Sequence, residues 1–167
     1  MPHTTPFDQF ATVTARGWFS GVAFVLRLAL GFRFFHSAWA KFSADAWSAA
    51  GYLSLATGPL TGWFQSLAGN PIVDALNLYG QAAIGLALIF GCLVRPASIG
   101  GVFLMVLYYL AHFEQNTAYG LVDQHVVYAL VFLFFASGGF GHLWGIDGLI
   151  ARQPSLQRKR WVNWLFG

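Results

Sequence analysis

Four stretches of this chain are long, apolar and almost free of charge: 18–40, 72–94, 97–113 and 121–141. At about 1.5 Å of rise per residue, a helix of about 17–25 residues crosses a hydrocarbon core of about 30 Å. Each stretch therefore reads as a membrane-spanning helix. Of 167 residues, 57% are hydrophobic and 9% charged, which is too little charge to coat a soluble surface. A soluble domain of this size could not bury so many Phe, Leu and Trp side chains and still cover itself with polar groups. The expectation is an all-α, integral membrane four-helix bundle whose first partner is the lipid bilayer.

The breaks between the stretches carry topology. Arg95-Pro96 reads as a tight hairpin, because proline cannot continue a helix and arginine prefers headgroups; the second and third spans are then antiparallel. Residues 43–70 are too polar, and too interrupted by Gly58-Pro59, to span. Yet Leu60, Trp63, Phe64 and Leu67 repeat at helical spacing, which suits an outer interfacial helical segment between helices 1 and 2. Ala38-Trp39-Ala40 has the small-residue form of a signal-peptidase site, but the segment before it is too long and carries Arg27 and Arg33. Arg16, Arg95, Arg152, Arg158, Lys159 and Arg160 fall on one side; Lys41, Asp45, Asp74, Glu114 and Asp123 fall on the other. Since Lys and Arg accumulate in cytoplasmic loops, the bundle is expected N-in and C-in, multi-pass in the cell (plasma or inner) membrane.

Three parts follow: a cytoplasmic N-terminal segment (1–17), a transmembrane domain (18–150) and a basic, amphipathic tail (151–167). In the tail, Arg158-Lys159-Arg160 precedes Trp161, Trp164 and Phe166, a pattern suited to anionic headgroups rather than nucleic acid. The lone Cys92 excludes an internal disulfide, a CxxC redox pair and a covalent c-type haem, and reads as a small packing residue. Small residues such as Gly80, Gly85, Gly100, Gly101, Ser137, Gly138 and Gly139 suit close helix packing.

The informative residues are polar ones at membrane depth. Arg27 lies about 13 Å past Trp18 along a helix, near the midplane. A cation there costs about 2.5–3.5 kcal/mol on an insertion scale and should face the protein interior or a wet cavity. Arg27 either serves a ligand or ties the helices together through backbone carbonyls or an acidic partner. It shares a face with Lys41, roughly 40° away at about 100° per residue. Arg33 and His36, at i and i+3, share another. The third span ends in Tyr108, Tyr109 and His112, followed by Glu114, and the fourth begins with Asp123, His125 and Tyr128. Antiparallel packing places Arg33, His36, Lys41, Tyr109, His112, Glu114, Asp123, His125 and Tyr128 in the outer half together. Three histidines at one depth beside acids and cations point to a functional pocket.

No nucleotide-binding glycine loop, Ser-His-Asp order, HExxH or metal-ligand pattern is present. What remains is anion binding by cations, with proton transfer by histidine and carboxylate. His125, Asp123, His112 and Tyr128 are the candidate catalytic residues. Arg33, His36, Lys41, Tyr109, Arg27 and Glu114 are candidates for holding substrate or a quinone head group. A quinone, which takes up two electrons and two protons and arrives through lipid, is the expected co-substrate, with no covalent cofactor.

Certain pieces of sequence, in order and spacing, carry a resemblance. They are Arg27-Leu-Ala-Leu-Gly-Phe with Trp39-Ala-Lys41; Gly85-Leu-Ala-Leu-Ile-Phe-Gly91 with Arg95; Tyr108-Tyr-Leu-Ala; Asp123-Gln-His125-Val-Val-Tyr128-Ala-Leu; and Gly141 through Gly145-Ile-Asp147. Across residues 24–150 the chain resembles the DoxX family, and within it the DoxD-like membrane subunit of thiosulfate:quinone oxidoreductase. The resemblance implies a four-helix membrane subunit that oxidises thiosulfate to tetrathionate and passes the electrons to the quinone pool. It also implies a small soluble or membrane-anchored second subunit and a homo- or hetero-oligomer. The chain departs from the family where Tyr119-Gly120 stands in place of an Asn-Pro turn before Asp123. Two alternatives stand behind this reading. One is a non-catalytic membrane scaffold for a redox or sulfur-transfer complex; the other is an electron-transfer subunit with haem b held by His112 and His125, or by His36.

Overall fold

The computed structural model describes residues 6–118, 120–153 and 165, with side chains described from Gly17 onward. The tail residues Arg158, Lys159, Arg160, Trp161, Trp164 and Phe166, the loop residue Tyr119 and the side chain of Arg16 lie outside that description. Every regular element in the described residues is helical: α1 (Pro6–Phe42), α2 (Ala50–Ser54), α3 (Thr61–Ser66), α4 (Pro71–Phe90), α5 (Val94–Ala111), α6 (Phe113–Asn116), α7 (Gln124–Ser137), a 3-10 turn (Phe140–His142) and α8 (Ile146–Ala151).

Three helices are long and apolar enough to cross a membrane: Gly17–Phe42, Pro71–Phe90 and Val94–Ala111. Their outward faces carry Trp18, Val22, Val25, Phe32, Leu76, Phe103 and Val106, all exposed, as expected of a chain that uses lipid as part of its solvent. The fourth apolar stretch is shorter than its hydropathy suggests. α7 has 14 residues, about 21 Å at helical rise. Asp123 caps its start by accepting from the His125 and Val126 N–H groups, which leaves Leu121 and Val122 outside the helix. Gly138 and Gly139 end it, and the chain turns through Phe140–His142.

α1 and α4 run antiparallel, with Lys41 reaching Asn77, Gly31 against Gly85 and Arg27 beside Gly91. The Gly31–Gly85 contact is backbone to backbone: a Cβ on Gly85 would sit 2.5 Å from the Phe35 nitrogen. Since lipid tails are as apolar as leucine, such helix pairs are held by close van der Waals packing rather than by the hydrophobic effect. α4 turns into α5 through Gly91 (φ 63°) and Leu93 (φ 54°). The hairpin is thus earlier than Arg95-Pro96 suggests; Pro96 falls in the first turn of α5, where a missing N–H leaves no helical bond unmade. α7 packs along α5. α1 and α7 meet instead through rings, with Phe34 edge-on to Phe132 and Tyr128, and Phe19 against Phe134 and Phe140. The core holds Leu30, Phe34, Ile84, Leu88, Val94, Met105, Phe132 and Phe135.

Residues 43–70 build a cap rather than a purely interfacial strip. Phe64 is buried with Ala49, Leu53, Ala56 and Ala111 in a second core, while Leu60 and Trp63 remain exposed. The Thr57 N–H donates to the Ala111 carbonyl (2.8 Å), and the Phe113 N–H donates to the Thr57 carbonyl (3.3 Å). Gly58, at φ 101°, lies directly beneath Phe113, where a side chain would collide. The cap therefore seals the end of the molecule where α5 passes into α6.

Candidate functional site

At the cap end, Lys41 turns inward from the last turn of α1. Its Nζ donates to Asn77 Oδ1 (2.5 Å), Gln81 Oε1 (2.7 Å) and the Tyr108 hydroxyl (3.2 Å), and lies 4.8 Å from the Trp47 ring centroid. An ammonium has three donors, and all are used on neutral oxygens; no described carboxylate forms an ion pair with it. Asn77 Nδ2 (2.7 Å) and Gln81 Nε2 (3.1 Å) also donate to the Tyr108 hydroxyl. Three side chains thus converge on one phenolic oxygen.

Tyr108 and Gln81 also wall a cavity of about 90 Å³, lined further by Arg33, Phe34, Ser37, Met105, Gln124, His125 and Tyr128. At about 30 Å³ per water, that is room for about three waters. Asp123 divides its carboxylate between two tasks. Oδ1 caps α7, and Oδ2 is 2.5 Å from His125 Nδ1. In the neutral ring this places the proton on Nδ1 and leaves Nε2 as the basic nitrogen. The His125 ring stands edge-on to Tyr108 at 5.9 Å.

The family model DoxX matches residues 22–113, more than half of the chain. The chain belongs to the DoxX family. No curated protein and no solved structure matches it. The matched stretch of this DoxX protein contains Arg33, Lys41, Asn77, Gln81 and Tyr108; Asp123, His125 and Tyr128 lie beyond it.

Of the candidate residues, Arg33, His125 and Tyr128 line the cavity, Lys41 adjoins it through Gln81 and Tyr108, and Asp123 orients His125. His112 lies behind Tyr108. Its Nε2 meets the Tyr52 carbonyl (3.0 Å), its Nδ1 meets Gln115 Oε1 (3.1 Å), and its ring packs on Tyr52 at 4.2 Å. With both nitrogens engaged, it would have to give up a hydrogen bond to bind iron. Burial first, then Tyr108 and Asp123, push the Tyr52 hydroxyl up to about 12, so it stays a neutral phenol. The remaining candidates fall outside the cavity. The Tyr109 hydroxyl donates to the Leu121 carbonyl (3.0 Å), His36 stacks on Phe32 at an exposed face, and Glu114 is exposed in α6.

Arg27 is at the opposite end of α1. It is 1% exposed and donates from Nη1 to the Phe140 carbonyl (2.6 Å), with Nε and Nη2 unpartnered. Nearby Asp147, 2% exposed, accepts from the Leu93 (2.7 Å) and Val94 (3.1 Å) N–H groups. Burial pushes its carboxyl up, opposed by those N–H donors, His142 and Arg27. The same surroundings push the Cys92 thiol up, by burial and then by Asp147, which makes it a poor thiolate.

Asn77, Gln81, Ser37, Gln124 and Tyr52 escaped the sequence reading. The usable signal was Asn77 and Gln81 at i, i+4, two amides on one face of an otherwise apolar helix.

Proposed function

We propose that this DoxX protein is the membrane subunit of a quinone-dependent oxidoreductase that oxidises thiosulfate. In that reaction two thiosulfate ions lose two electrons and join through sulfur as tetrathionate, and a quinone takes up the electrons with two protons. The observation that carries the reading is a cation without a counter-ion: Lys41, held by amide and phenol oxygens, beside a small cavity that also receives Arg33. A site with surplus positive charge in a low-dielectric setting favours an anionic ligand. A volume of about 90 Å³ suits a five-atom oxyanion better than a substituted quinone ring. On this reading the anion occupies the cavity, and a quinone reaches its rim from the lipid side with one carbonyl edge.

Arg33 holds the anion in the field of the Lys41 ammonium, whose own donors stay on Asn77, Gln81 and Tyr108. His125, fixed by Asp123, and Tyr128 handle protons for the quinone. The proposal includes the membrane arrangement: four spans with α7 as the shortest, both termini in the cytoplasm of a cell membrane, and the cap end outside. Membranes containing the protein should then reduce a soluble quinone analogue when thiosulfate is added. His125→Ala and Arg33→Ala should each abolish that reduction; undiminished turnover in both variants refutes the assignment.

A further inference from the structure

At the other end of the molecule, where α4 stops and the chain turns through Phe140–His142 into α8, a groove of about 590 Å³ opens beside Arg152. That volume falls in the range of small-molecule sites, about 300–1,000 Å³. Its apolar walls are Phe90, Trp144, Ile146 and Leu149, which are 56%, 72%, 39% and 64% exposed. Its polar rim holds His142 and Arg152. Asp147 is buried and turned onto the Leu93 and Val94 N–H groups, so among the described residues no acid lines the groove.

Trp144 is held at φ 49°, a backbone state that bulky residues rarely adopt. It is set there edge-on to Phe24 at 4.9 Å, with its indole forming one wall. Phe90 is the last residue of a helix long enough to cross the bilayer, which sets the groove at headgroup depth if that helix spans it end to end.

We propose that this groove binds an anionic two-chain phospholipid. Its phosphate lies on Arg152, and the upper parts of its acyl chains lie along Phe90, Ile146 and Leu149. Apolar walls that end in a cation, with no acid between them, match a molecule whose hydrocarbon ends in a negative charge. A zwitterionic lipid offers the same chains and phosphate but cancels the charge. The groove therefore selects by net charge, independently of whatever occupies the cap-end cavity.

The test is native mass spectrometry of the full-length protein, released from mixed phosphatidylglycerol and phosphatidylcholine nanodiscs and scored for retained lipid. Wild type should retain phosphatidylglycerol over phosphatidylcholine by about fivefold, the effect of one cation near a membrane surface. Arg152→Gln should remove that preference. Leu149→Asp should lower retention of both lipids. Thiosulfate-dependent activity, if present, is not required for any of these readings. Equal retention of the two lipids by wild type would overturn the proposal. So would a preference that survives Arg152→Gln and disappears only when residues 154–167 are deleted, since the tail would then be the site. Displacement of the lipid by soluble glycerol phosphate at millimolar concentration would likewise overturn it, in favour of a site for free phosphate.

Discussion

Each end of this protein draws a cation inward, Arg27 fully buried and Lys41 half-buried, and the two are treated differently. At the hairpin end Arg27 donates to the Phe140 carbonyl near Asp147, whose carboxylate is taken up by two backbone N–H groups of the α4–α5 turn. That arrangement joins three pieces of chain. At the cap end Lys41 is satisfied by side chains from α4 and α5 that carry no charge, next to a cavity into which Arg33 and His125 also project. The difference teaches how to sort intramembrane charges. A cation buried against a main-chain carbonyl and near a fixed acid belongs to the architecture. One satisfied by neutral side chains beside a void keeps its charge available to a ligand.

Substitutions at three positions probe that contrast. The largest effect is expected from Asp147→Leu, which strands the Leu93 and Val94 N–H groups and removes the acid beside Arg27. It should cost about 2–5 kcal/mol, read as the largest drop in thermal midpoint of the detergent-solubilised protein. A shift of only a degree or two would show that the hairpin end is not held this way. Next comes Lys41→Met, which should lower thiosulfate-dependent quinone reduction about 100-fold while lowering the thermal midpoint less than Asp147→Leu does, because Asn77 and Gln81 keep their bonds to the Tyr108 hydroxyl and lose only their bonds from the ammonium. Unfolding on the scale of Asp147→Leu would erase the distinction between the ends. The last pair of variants separates the two tasks of Asp123. Asp123→Ala should cost about 1 kcal/mol through the lost helix cap. Asp123→Asn should keep the cap and the stability yet slow turnover, since the carboxylate on His125 is gone. Equal thermal midpoints for the Ala and Asn variants would remove the capping role.

The helical class and the long apolar segments were legible in the sequence because hydropathy over about twenty residues is a strong signal. So was the gathering of Arg33, Lys41, Asp123, His125 and Tyr128 at one end, since antiparallel neighbours fix depth from residue number alone. Turn position was less legible. Arg95-Pro96 marks the start of α5, and the reversal itself is made by Gly91 and Leu93 in left-handed conformations. Counting from Trp18 set Arg27 near the midplane, whereas it lies beside Gly91 just past the end of α4, and its neighbours Phe140 and Asp147 are more than a hundred residues away in sequence. Asn77 and Gln81 were passed over because neutral amides barely disturb a hydropathy profile, although they are what hold Lys41. The cap was read as a surface strip because helical spacing in Leu60, Trp63, Phe64 and Leu67 cannot say that Phe64 turns inward while Trp63 does not.

The seam between α1 and α7 is closed by the rings of Phe34, Tyr128 and Phe132 rather than by close backbone approach. A seam of that kind widens by rotation about side-chain bonds and breaks no main-chain hydrogen bond when it does. For a hydrophobic compound using this route to the cavity rim, the concentration that counts is its mole fraction in the bilayer, and dose–response curves expressed per litre of water will move with the amount of membrane in the assay.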